Sequence, residues 1–437
     1  FFKQKTAYEI STRDWSSDVC SSDLRPMICT TKANWESALV SHEFLQDPYP
    51  LLREMREKEP IYWSDSIGGW ILTRYDDIMA TFKDTESFSN EGRLGKAVEY
   101  LPPEKRAKYK PFEDHYATKG LLHSDPPDHT RMRNVIVKDF TPNVVEQMRP
   151  NIQSVVNHLI EEAEKNGGMD VIPEFASALP VGVIAEILGV PRSDRHLFKR
   201  WTDMILGFQG VNKPSEADLT RAQDGLQEIR PYLMNMIEER RKQPRKDLMS
   251  KFVTAMTEEG RISESELINT CVTLFTAGHE TTLSLISSTI YTLLSHPDQL
   301  ALLRKNPELL KSTIEESLRF ESPVSRQTRL MKQDAVLNGK EFKKGQVVFQ
   351  MLNAANRDPA QFTDPDTFNI RRENNRHIAF GFGPHFCIGA TLARTEAFIA
   401  VGTLIQRFPN LRLVDAKPDW DSEKRNSRVL NKLPVRF

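Results

Sequence analysis

The stretch Phe380-Gly381-Phe382-Gly383-Pro384-His385-Phe386-Cys387-Ile388-Gly389 decides the fold. Three glycines and a proline surround a single cysteine, and an apolar pattern with helical spacing follows over about 388–408. A cysteine at a helix N-terminus faces unpaired N–H groups and the positive end of the helix dipole, which lower the pKa of the thiol. Gly381, Gly383 and Gly389 let the backbone approach a flat ligand closely and direct amides at the sulfur. Such a thiolate suits a haem iron.

Other interpretations of this stretch are less specific. A lone buried cysteine is most often a small hydrophobic residue. Gly381 and Gly383 lack the third glycine of a dinucleotide-binding fingerprint. His385 and Cys387 could begin a zinc site, but no second ligand pair stands at zinc spacing.

The ten residues resemble the cysteine-ligand signature of the cytochrome P450 family, F-x-x-G-x-H/R-x-C-x-G. This pattern is long, and a chance match is improbable. The resemblance implies haem b as the cofactor, with Cys387 as the ligand of the iron. It also implies cofactor contacts by Phe380, Gly381, His385 and Gly389.

Composition narrows the class of protein. The 437 residues could form one large domain or two to three average ones, and neither a repeat nor a low-complexity linker divides them. The net charge of −1 gives no general reason to expect nucleic acid or an anionic membrane as partner. No stretch approaches 18 consecutive apolar residues, so no membrane span is predicted. Four cysteines without closely spaced pairs fit a reducing cytosol.

Residues 1–24 differ from the rest of the chain. They lack helical or strand periodicity, end in a Ser/Asp-rich run and have no apolar core of a signal peptide. They resemble translated sequencing adapter, so we expect a non-native extension, a natural start near Met27 and one domain over 25–437. The alternative is a natural disordered extension.

After the cysteine stretch, the most informative part of the sequence is the helix predicted from Ser263 to His296. Ser263 and Glu266 form a capping box, and Pro297 ends the helix. Its apolar circumference indicates burial, yet its middle reads Ala277-Gly278-His279-Glu280-Thr281-Thr282. This composition weakens the helical hydrogen bonds and favours a kink with inserted water. The alternative is a solvent-exposed stripe at mid-helix.

The same six residues match the P450 pattern A/G-G-x-D/E-T position by position. The resemblance implies a groove for dioxygen at Ala277 and Gly278. It implies a proton relay through Glu280 and Thr281, which we take as the catalytic residues.

Glu316 and Arg319 form an E-x-x-R motif that is weak alone, because Glu315 and Arg319 could equally form a surface pair at i,i+4. Upstream of the cysteine run, the motif resembles the buried pair of the P450 family. Arg372 is the candidate for the third member. The resemblance implies that these three residues maintain the fold and take no part in catalysis.

Other residues are implied to bind the haem propionates. Asp125 can cap a helix with Pro126 at its first position, and His129 and Arg133 then share one helix face. In the family, the residues at the positions of His129 and Arg133 bind a haem propionate. Arg329 and His385 match two further propionate ligands.

Periodicity indicates a mainly α fold with a small β region, and the resemblance implies the triangular prism of the P450 family. A hairpin is predicted from Ile61 to Leu72 around Gly68-Gly69, a tight turn at Asn338-Gly339, and a strand over 347–349. Helices are predicted over about 44–59, 76–82, 142–165, 174–188, 193–208, 216–241, 245–258 and 263–296, and again from Asn306.

The segment 87–120 is polar and weakly periodic, and a loop of that length is typically functional or mobile. We interpret it as a lid over a substrate pocket. The turn 207–215 corresponds to the family segment that closes over substrate. The predicted substrate contacts are Leu94, Val98, Val324, Ser325 and Val429.

The implied function is monooxygenation, in which one oxygen atom of dioxygen enters an apolar organic substrate by hydroxylation or epoxidation. We expect a cytoplasmic monomer that receives electrons from a ferredoxin or flavodoxin and its NAD(P)H-dependent reductase. A basic patch could attract such an acidic carrier. The candidate residues are Arg131, Arg133, Lys138, Arg372, Arg376 and Arg394.

Two other classes stay open. A peroxygenase takes its oxygen from peroxide, but family members of that kind replace the acid–alcohol pair that Glu280 and Thr281 would form. A non-catalytic haem protein, such as a gas sensor, needs neither this pair nor a lid. Product formation that depends on a reductant distinguishes a monooxygenase from both.

Overall fold

The computed structural model describes residues 32–209, 213–257 and 260–437. The extension predicted over 1–24, and the start predicted near Met27, lie outside the described residues. So do residues 210–212 of the predicted turn 207–215. The assignment of 25–437 to one domain stays a prediction.

Helices dominate the described chain, which confirms the mainly α class. Their bounds are α1 Lys32–Ala38, α2 His42–Gln46, α3 Tyr49–Lys58, α4 Tyr75–Lys83, α5 Pro103–Arg106, α6 Lys110–Ala117, α7 Asp128–Ile136, α8 Pro142–Lys165, α9 Ala178–Leu188, α10 Arg195–Leu206, α11 Glu216–Lys242, α12 Leu248–Thr257, α13 Glu264–Ser295, α14 Pro297–Lys305, α15 Leu310–Phe320, α16 Leu352–Ala355 and α17 Ala390–Arg407. None of these helices is both long enough and apolar enough to cross a bilayer.

The β region is small. Its strands are β1 Ile61–Ser64, β2 Gly69–Leu72, β3 Phe88–Ser89, β4 Gly168–Asp170, β5 Arg326–Met331, β6 Ala335–Leu337, β7 Lys340–Phe342, β8 Val347–Met351, β9 Arg412–Leu413 and β10 Pro434–Arg436. The main sheet has the order β1-β2-β8-β5-β3, in which β2 and β8 are parallel and the other neighbours are antiparallel. A second sheet has the order β4-β10-β9, and β6 pairs with β7.

Both predicted hairpins are confirmed. Strands β1 and β2 pair with Ile61 opposite Leu72. The turn between β6 and β7 places Asn338 and Gly339 at φ 48° and 75°, the left-handed region that an Asn-Gly turn requires.

Helix α13 is the centre of the fold. The predicted capping box at Ser263 and Glu266 is confirmed, and the helix runs unbroken from Glu264 to Ser295. Most of its side chains are buried, because it packs against α9, α10, α15 and α17. This helix therefore carries its polar central residues into the interior of the protein.

Two predicted helix boundaries are wrong. The helix predicted over 44–59 is broken into α2 and α3 at Asp47, which is extended because it precedes Pro48. Asp125 does not cap a helix, since α7 begins only at Asp128. The Asp125 carboxylate instead accepts hydrogen bonds from Ser89 Oγ at 2.5 Å and Asn90 N at 3.0 Å.

The prediction of a long polar loop over 87–120 is also wrong. The segment contains β3, the short helices α5 and α6, and two 3₁₀ turns at Gly95–Val98 and Ala107–Tyr109. Val98 and Phe112 are fully buried. Elements of one or two turns do not repeat an apolar pattern often enough to reveal a 3.6-residue period.

Candidate functional site

One cavity of ≈ 340 Å³ is lined both by the middle of α13 and by the glycine-rich segment around Cys387. The middle of α13 forms one wall, with Ala277, Gly278, Glu280 and Thr281. The cysteine segment also lines the cavity, with Phe380, His385, Cys387 and Gly389. Residues from two distant parts of the chain thus face one space, which is what a site for a flat ligand requires.

The cysteine segment is held in a turn that requires glycine. Gly381 and Gly383 have φ of 69° and 75°. A Cβ at Gly383 would lie 3.0 Å from the backbone oxygen of Phe82, so another residue there would clash as well as be strained. The backbone N–H of Cys387 donates to the carbonyl of Phe380 at 3.0 Å, and this bond fixes the direction of the cysteine.

The expected lowering of the Cys387 pKa is not found in the protein alone. Burial raises the pKa of this thiol, and the N–H of Gly389 and the charges of Arg133 and Arg394 only partly offset the effect. The amides and the helix end therefore do not produce the thiolate by themselves. A coordinating metal ion deprotonates a thiol outright, so an iron ligand at this position would obtain its charge from the metal.

Basic side chains crowd one edge of the cavity. Burial and the neighbouring charge of Arg93 lower the pKa of Arg329 to about 9. The rings of His129 and His385 lie 3.9 Å apart, and burial lowers their pKa values to about 4 and about 2. Among the described residues, nothing forms a hydrogen bond with the buried atoms His129 Nδ1 and His385 Nε2. Arg133 completes the group and donates to the carbonyl of Phe386 at 2.8 Å.

Arg93 belongs to this edge and was missed in the sequence. Its Nη1 donates to Thr328 Oγ1 at 3.1 Å, while its buried Nε has no hydrogen-bond partner in the part of the chain that the structure describes. Burial lowers the pKa of Arg93 to about 10. No motif surrounds this arginine, so only its position in the folded chain reveals it. Unsatisfied cations and imidazoles at one edge fit a ligand that brings its own carboxylates, as haem does with its propionates.

The acid–alcohol pair on α13, Glu280 and Thr281, has an unpredicted partner. Thr281 Oγ1 donates to the carbonyl of Ala277 at 2.7 Å, a local bond within α13. Glu280 Oε2 lies 2.6 Å from Lys424 Nζ, and Lys424 also lies 3.7 Å from Asp203 Oδ1 on α10. Sequence reasoning missed Lys424 because it stands in an irregular segment near the C-terminus. The ammonium group of Lys424 therefore holds the Glu280 carboxylate beside the cavity.

The interpretation of the central α13 residues as an exposed stripe is wrong. His279 and Glu280 are buried, and His279 Nε2 lies 3.2 Å from Ser177 Oγ. A Cβ at Gly278 would meet only Ile184, at 3.6 Å. Packing against the described protein therefore does not require a glycine here, whereas a ligand in the cavity would benefit from the space.

Glu316, Arg319 and Arg372 form one buried cluster away from the cavity. Arg319 donates to both carboxylate oxygens of Glu316, at 2.9 and 2.7 Å, and Arg372 Nε lies 3.0 Å from Oε2. Glu316 and Arg319 have no exposed surface. The alternative surface pair is not formed, because Glu315 instead binds Arg394.

The predicted substrate contacts separate into two groups. Val324 faces the cavity, and Ser325 faces a second cavity of ≈ 260 Å³. Leu94, Val98 and Val429 instead pack in the hydrophobic core. The apolar surface that does face the larger cavity comes from other residues, among them Leu121, Leu122, Ile184, Ile205, Leu206 and Leu285.

Three of the six residues in the predicted basic patch form ion pairs with acidic side chains. Arg131 binds Glu266 and Asp128. Arg372 binds Glu316, and Arg394 binds Glu315. Lys138 and Arg376 are exposed. Two aromatic side chains that the sequence did not single out, Phe382 and Phe386, are 43% and 42% exposed in the cysteine segment. The exposed surface here is therefore apolar as well as basic.

A buried carboxyl on α17 leads to a prediction about pH. Burial raises the pKa of Glu396 to about 8 from 4.5. Between these values the unfolded chain loses a proton that the folded chain keeps, so the free energy of unfolding falls as pH rises. We expect Glu396→Gln to remove this penalty, on the order of 2–4 kcal/mol at pH 8 and little at pH 5.

The measurement is the unfolding midpoint of the haem-loaded protein at several pH values. Glu308→Gln, at an exposed position, is the matched control and should leave the pH profile unchanged. An advantage of Glu396→Gln that does not grow with pH would contradict the prediction.

Comparisons with known proteins agree with this arrangement. The model of the family described as Cytochrome P450 matches residues 96–437. The chain is 40% identical over 402 residues to Cytochrome P450 107B1 of Saccharopolyspora erythraea, covering 90% of this chain and 96% of the relative. It is 37% identical over 408 residues to the cytochrome P450 monooxygenase PikC of Streptomyces venezuelae, covering 91% and 93%. The crystal structure of P450BioI, in complex with hexadec-9Z-enoic acid ligated acyl carrier protein, matches with a TM-score of 0.83 at 36% identity, covering 91% of this chain and 100% of that one.

Proposed function

The chain belongs to the cytochrome P450 family and is a haem-thiolate monooxygenase, and on this basis we propose roles for its own residues. Cys387 binds the iron of haem b. Glu280 and Thr281 deliver protons. The substrate is an apolar organic molecule that undergoes hydroxylation or epoxidation.

The single observation that carries the proposal is the shared cavity. Cys387 and the pair Glu280 and Thr281 line the same cavity. A flat group bound there would have a thiol ligand and a proton donor within one enclosed space. The residues that would hold its propionates are Arg93, Arg133, Arg329, His129 and His385.

When bound, the haem supplies the activation of dioxygen. The chain supplies protons and excludes bulk water. Glu280 is well placed to take protons from solvent, because its partner Lys424 is partly exposed. Thr281 then presents a hydroxyl to the cavity once it releases the carbonyl of Ala277. We assign Lys424 as a positioning residue that holds the Glu280 carboxylate at the rim.

Bacterial members of the family bind apolar substrates, and the lining of this cavity is suited to one. P450BioI, for example, forms a complex with an acyl carrier protein that is ligated to hexadec-9Z-enoic acid, a molecule with a long aliphatic chain. We therefore infer that a long aliphatic or polycyclic molecule enters the space between α13 and the segment 87–120, which acts as the lid.

Bacterial members also use separate redox partners. We infer that a ferredoxin or flavodoxin with its NAD(P)H-dependent reductase supplies electrons to a monomeric enzyme in the cytoplasm. Lys138, Arg376, Phe382 and Phe386 are the exposed residues that would meet it. Aromatic residues and arginine are enriched in protein interfaces, and the charge of Lys138 adds attraction for an acidic carrier.

Thr281→Ala tests the proton relay. Because the substitution removes the hydroxyl and leaves the cavity otherwise intact, reductant consumption should continue while product formed per electron pair falls by about tenfold or more. The measurement is the ratio of product to NAD(P)H consumed in a reconstituted system.

Thr281→Ser keeps a hydroxyl at the same position and should retain most of the coupling. A peroxygenase would form product from peroxide equally well with either variant and would need no reductant. Coupling that is the same in the wild type and in Thr281→Ala would remove Thr281 from the relay.

A further inference from the structure

A polar cluster joins α15, α17 and the segment that leads into the cysteine turn. Its members are Glu315 on α15, Arg394 on α17 and His377. Glu315 Oε1 accepts a hydrogen bond from Arg394 Nε at 2.6 Å, and Glu315 Oε2 accepts one from Arg394 Nη2 at 2.8 Å. Two parallel hydrogen bonds of this kind fix the direction of the guanidinium group as well as its distance. Glu315 therefore determines where the charge of Arg394 lies.

His377 binds the same carboxylate as a neutral ring. Its Nδ1 accepts a hydrogen bond from the backbone N–H of Ala379 at 3.3 Å, so the ring proton is on Nε2, 3.0 Å from Glu315 Oε2. Burial alone would raise the pKa of Glu315, but the hydrogen bonds from Arg394 and His377 lower it to about 2. Glu315 is thus ionised at neutral pH, and Arg394 supplies its counter-charge.

The Arg394 guanidinium lies beside the segment that carries the iron ligand. It covers the ring of Phe380, 4.4 Å from the centroid, as a cation does over an aromatic face. The carbonyl of Phe380 accepts the hydrogen bond from the backbone N–H of Cys387. Burial raises the pKa of the Cys387 thiol, and the positive charges of Arg133 and Arg394 act in the opposite direction. The charge of Arg394 therefore acts on the sulfur.

Glu315 largely cancels this charge. No other carboxylate of the described chain lies within 4.0 Å of the Arg394 guanidinium. An ion pair presents almost no net charge to its surroundings, whereas a guanidinium alone presents a full positive one. Neither Glu315 nor Arg394 lines the cavity. Removal of the Glu315 carboxylate would therefore change the charge near Cys387 and leave the cavity lining as it is.

We propose that Glu315 is a positioning residue that sets the reduction potential of the haem iron, because its carboxylate neutralises Arg394 and holds the guanidinium on the ring of Phe380. This inference rests on the proposed function, since it takes Cys387 as the ligand of the iron. The reaction is the transfer of one electron from the carrier to ferric iron, which becomes ferrous. Reduction makes the iron site more negative, so an unneutralised cation nearby favours the ferrous state.

The test is the midpoint potential of the haem-loaded protein, titrated with dithionite and mediator dyes at pH 7.5 and low ionic strength. No carrier protein is present, so a role of Arg394 in docking does not affect the result. Glu315→Gln should favour ferrous over ferric iron by about three- to tenfold, which is a rise of about 30–60 mV. Arg394→Gln should lower the potential, because it leaves the Glu315 carboxylate without its cation.

Three further variants complete the design. Arg394→Lys keeps the positive charge, and the double variant Glu315→Gln/Arg394→Gln removes both charges, so both should stay close to the wild-type potential. Glu164→Gln is the matched control. It also frees an arginine of α17, because Glu164 Oε2 lies 2.7 Å from Arg407 Nη2. Arg407 is about 20 Å from Arg394 along the helix, which is beyond the screening length at physiological ionic strength. This control should leave the potential unchanged.

Three results would each overturn the proposal. They are an unchanged potential in Glu315→Gln, shifts of the same sign in Glu315→Gln and Arg394→Gln, and an equal shift in Glu164→Gln. If Glu315→Gln retains too little haem to titrate, the comparison of Arg394→Gln with Arg394→Lys decides, and equal potentials in that pair would overturn the proposal.

Failure of this proposal is distinguishable from failure of the proposed function. A wild type whose dithionite-reduced, carbon-monoxide-bound form lacks a red-shifted Soret band would remove Cys387 as the iron ligand, whatever the potentials are. If the band is present and the potentials of the wild type and the single variants are equal, the haem-thiolate assignment stands and the role of Glu315 is the part that fails.

Discussion

Replacing Glu316 with glutamine should lower the free energy of unfolding by about 3–5 kcal/mol, the cost of removing one partner from a buried ion pair. The Glu316 carboxylate accepts hydrogen bonds from the guanidinium groups of Arg319 and Arg372, from the backbone of Asn369 and from the amide of Asn375. A neutral amide would leave two buried cations without a counter-charge. The measurement is the unfolding midpoint in denaturant.

The Glu316→Gln substitution should also affect how tightly the protein holds its haem. Arg319 also donates to the carbonyls of Asn356, Pro365 and Thr367, and thereby fixes the segment that leads into the cysteine turn. We therefore expect Glu316→Gln to weaken haem retention as well as stability.

Glu315→Gln is the matched control, because it makes the same change one residue earlier on α15. Glu315 binds Arg394 and His377 but is partly exposed, so its loss should cost clearly less. Equal destabilisation by the two variants would contradict the assignment of Glu316 as the centre of the cluster.

Replacing Cys387 with alanine should abolish reductant-driven oxygenation, leaving no more than the background of free haem. The cavity would keep its shape, but it would lose the only sulfur that faces it among the described residues. The thiolate ligand is what pushes electron density toward the O–O bond in this family. The measurement is product formation at saturating reductant with haem supplied in excess.

Cys271→Ala is the control for this experiment. Cys271 is fully buried on α13, outside the lining of the cavity, and burial alone raises its pKa. This variant should lose some stability through packing and keep turnover. If Cys387→Ala kept wild-type turnover, another ligand would have to hold the iron.

Local sequence signals predicted the parts of the fold that depend on neighbouring residues. The capping box at Ser263, the Asn-Gly turn at Asn338 and the glycine-rich turn before Cys387 each rest on backbone geometry within a few positions. The order of the main sheet could not be predicted this way, because β8 joins β2 and β5 across long stretches of chain.

In the candidate site too, the residues that belong to a local motif could be predicted, and those that depend on long-range contacts could not. Motifs placed Cys387 and Thr281 on the walls of one cavity, whereas Arg93 and Lys424 have no motif and acquire their partners only through tertiary contacts. Leu94 and Val98 were expected at the substrate because the polarity of 87–120 indicated a loop. Short helices turn these side chains into the core instead.

The most direct test of the account is the absorption spectrum of the dithionite-reduced, carbon-monoxide-bound protein, recorded for the wild type and for Cys387→Ala. Thiolate-bound haem predicts a strongly red-shifted Soret band in the wild type that is absent from the variant. With haem in excess, a wild type without this band, or a variant that keeps it, would contradict the assignment of Cys387 as the iron ligand.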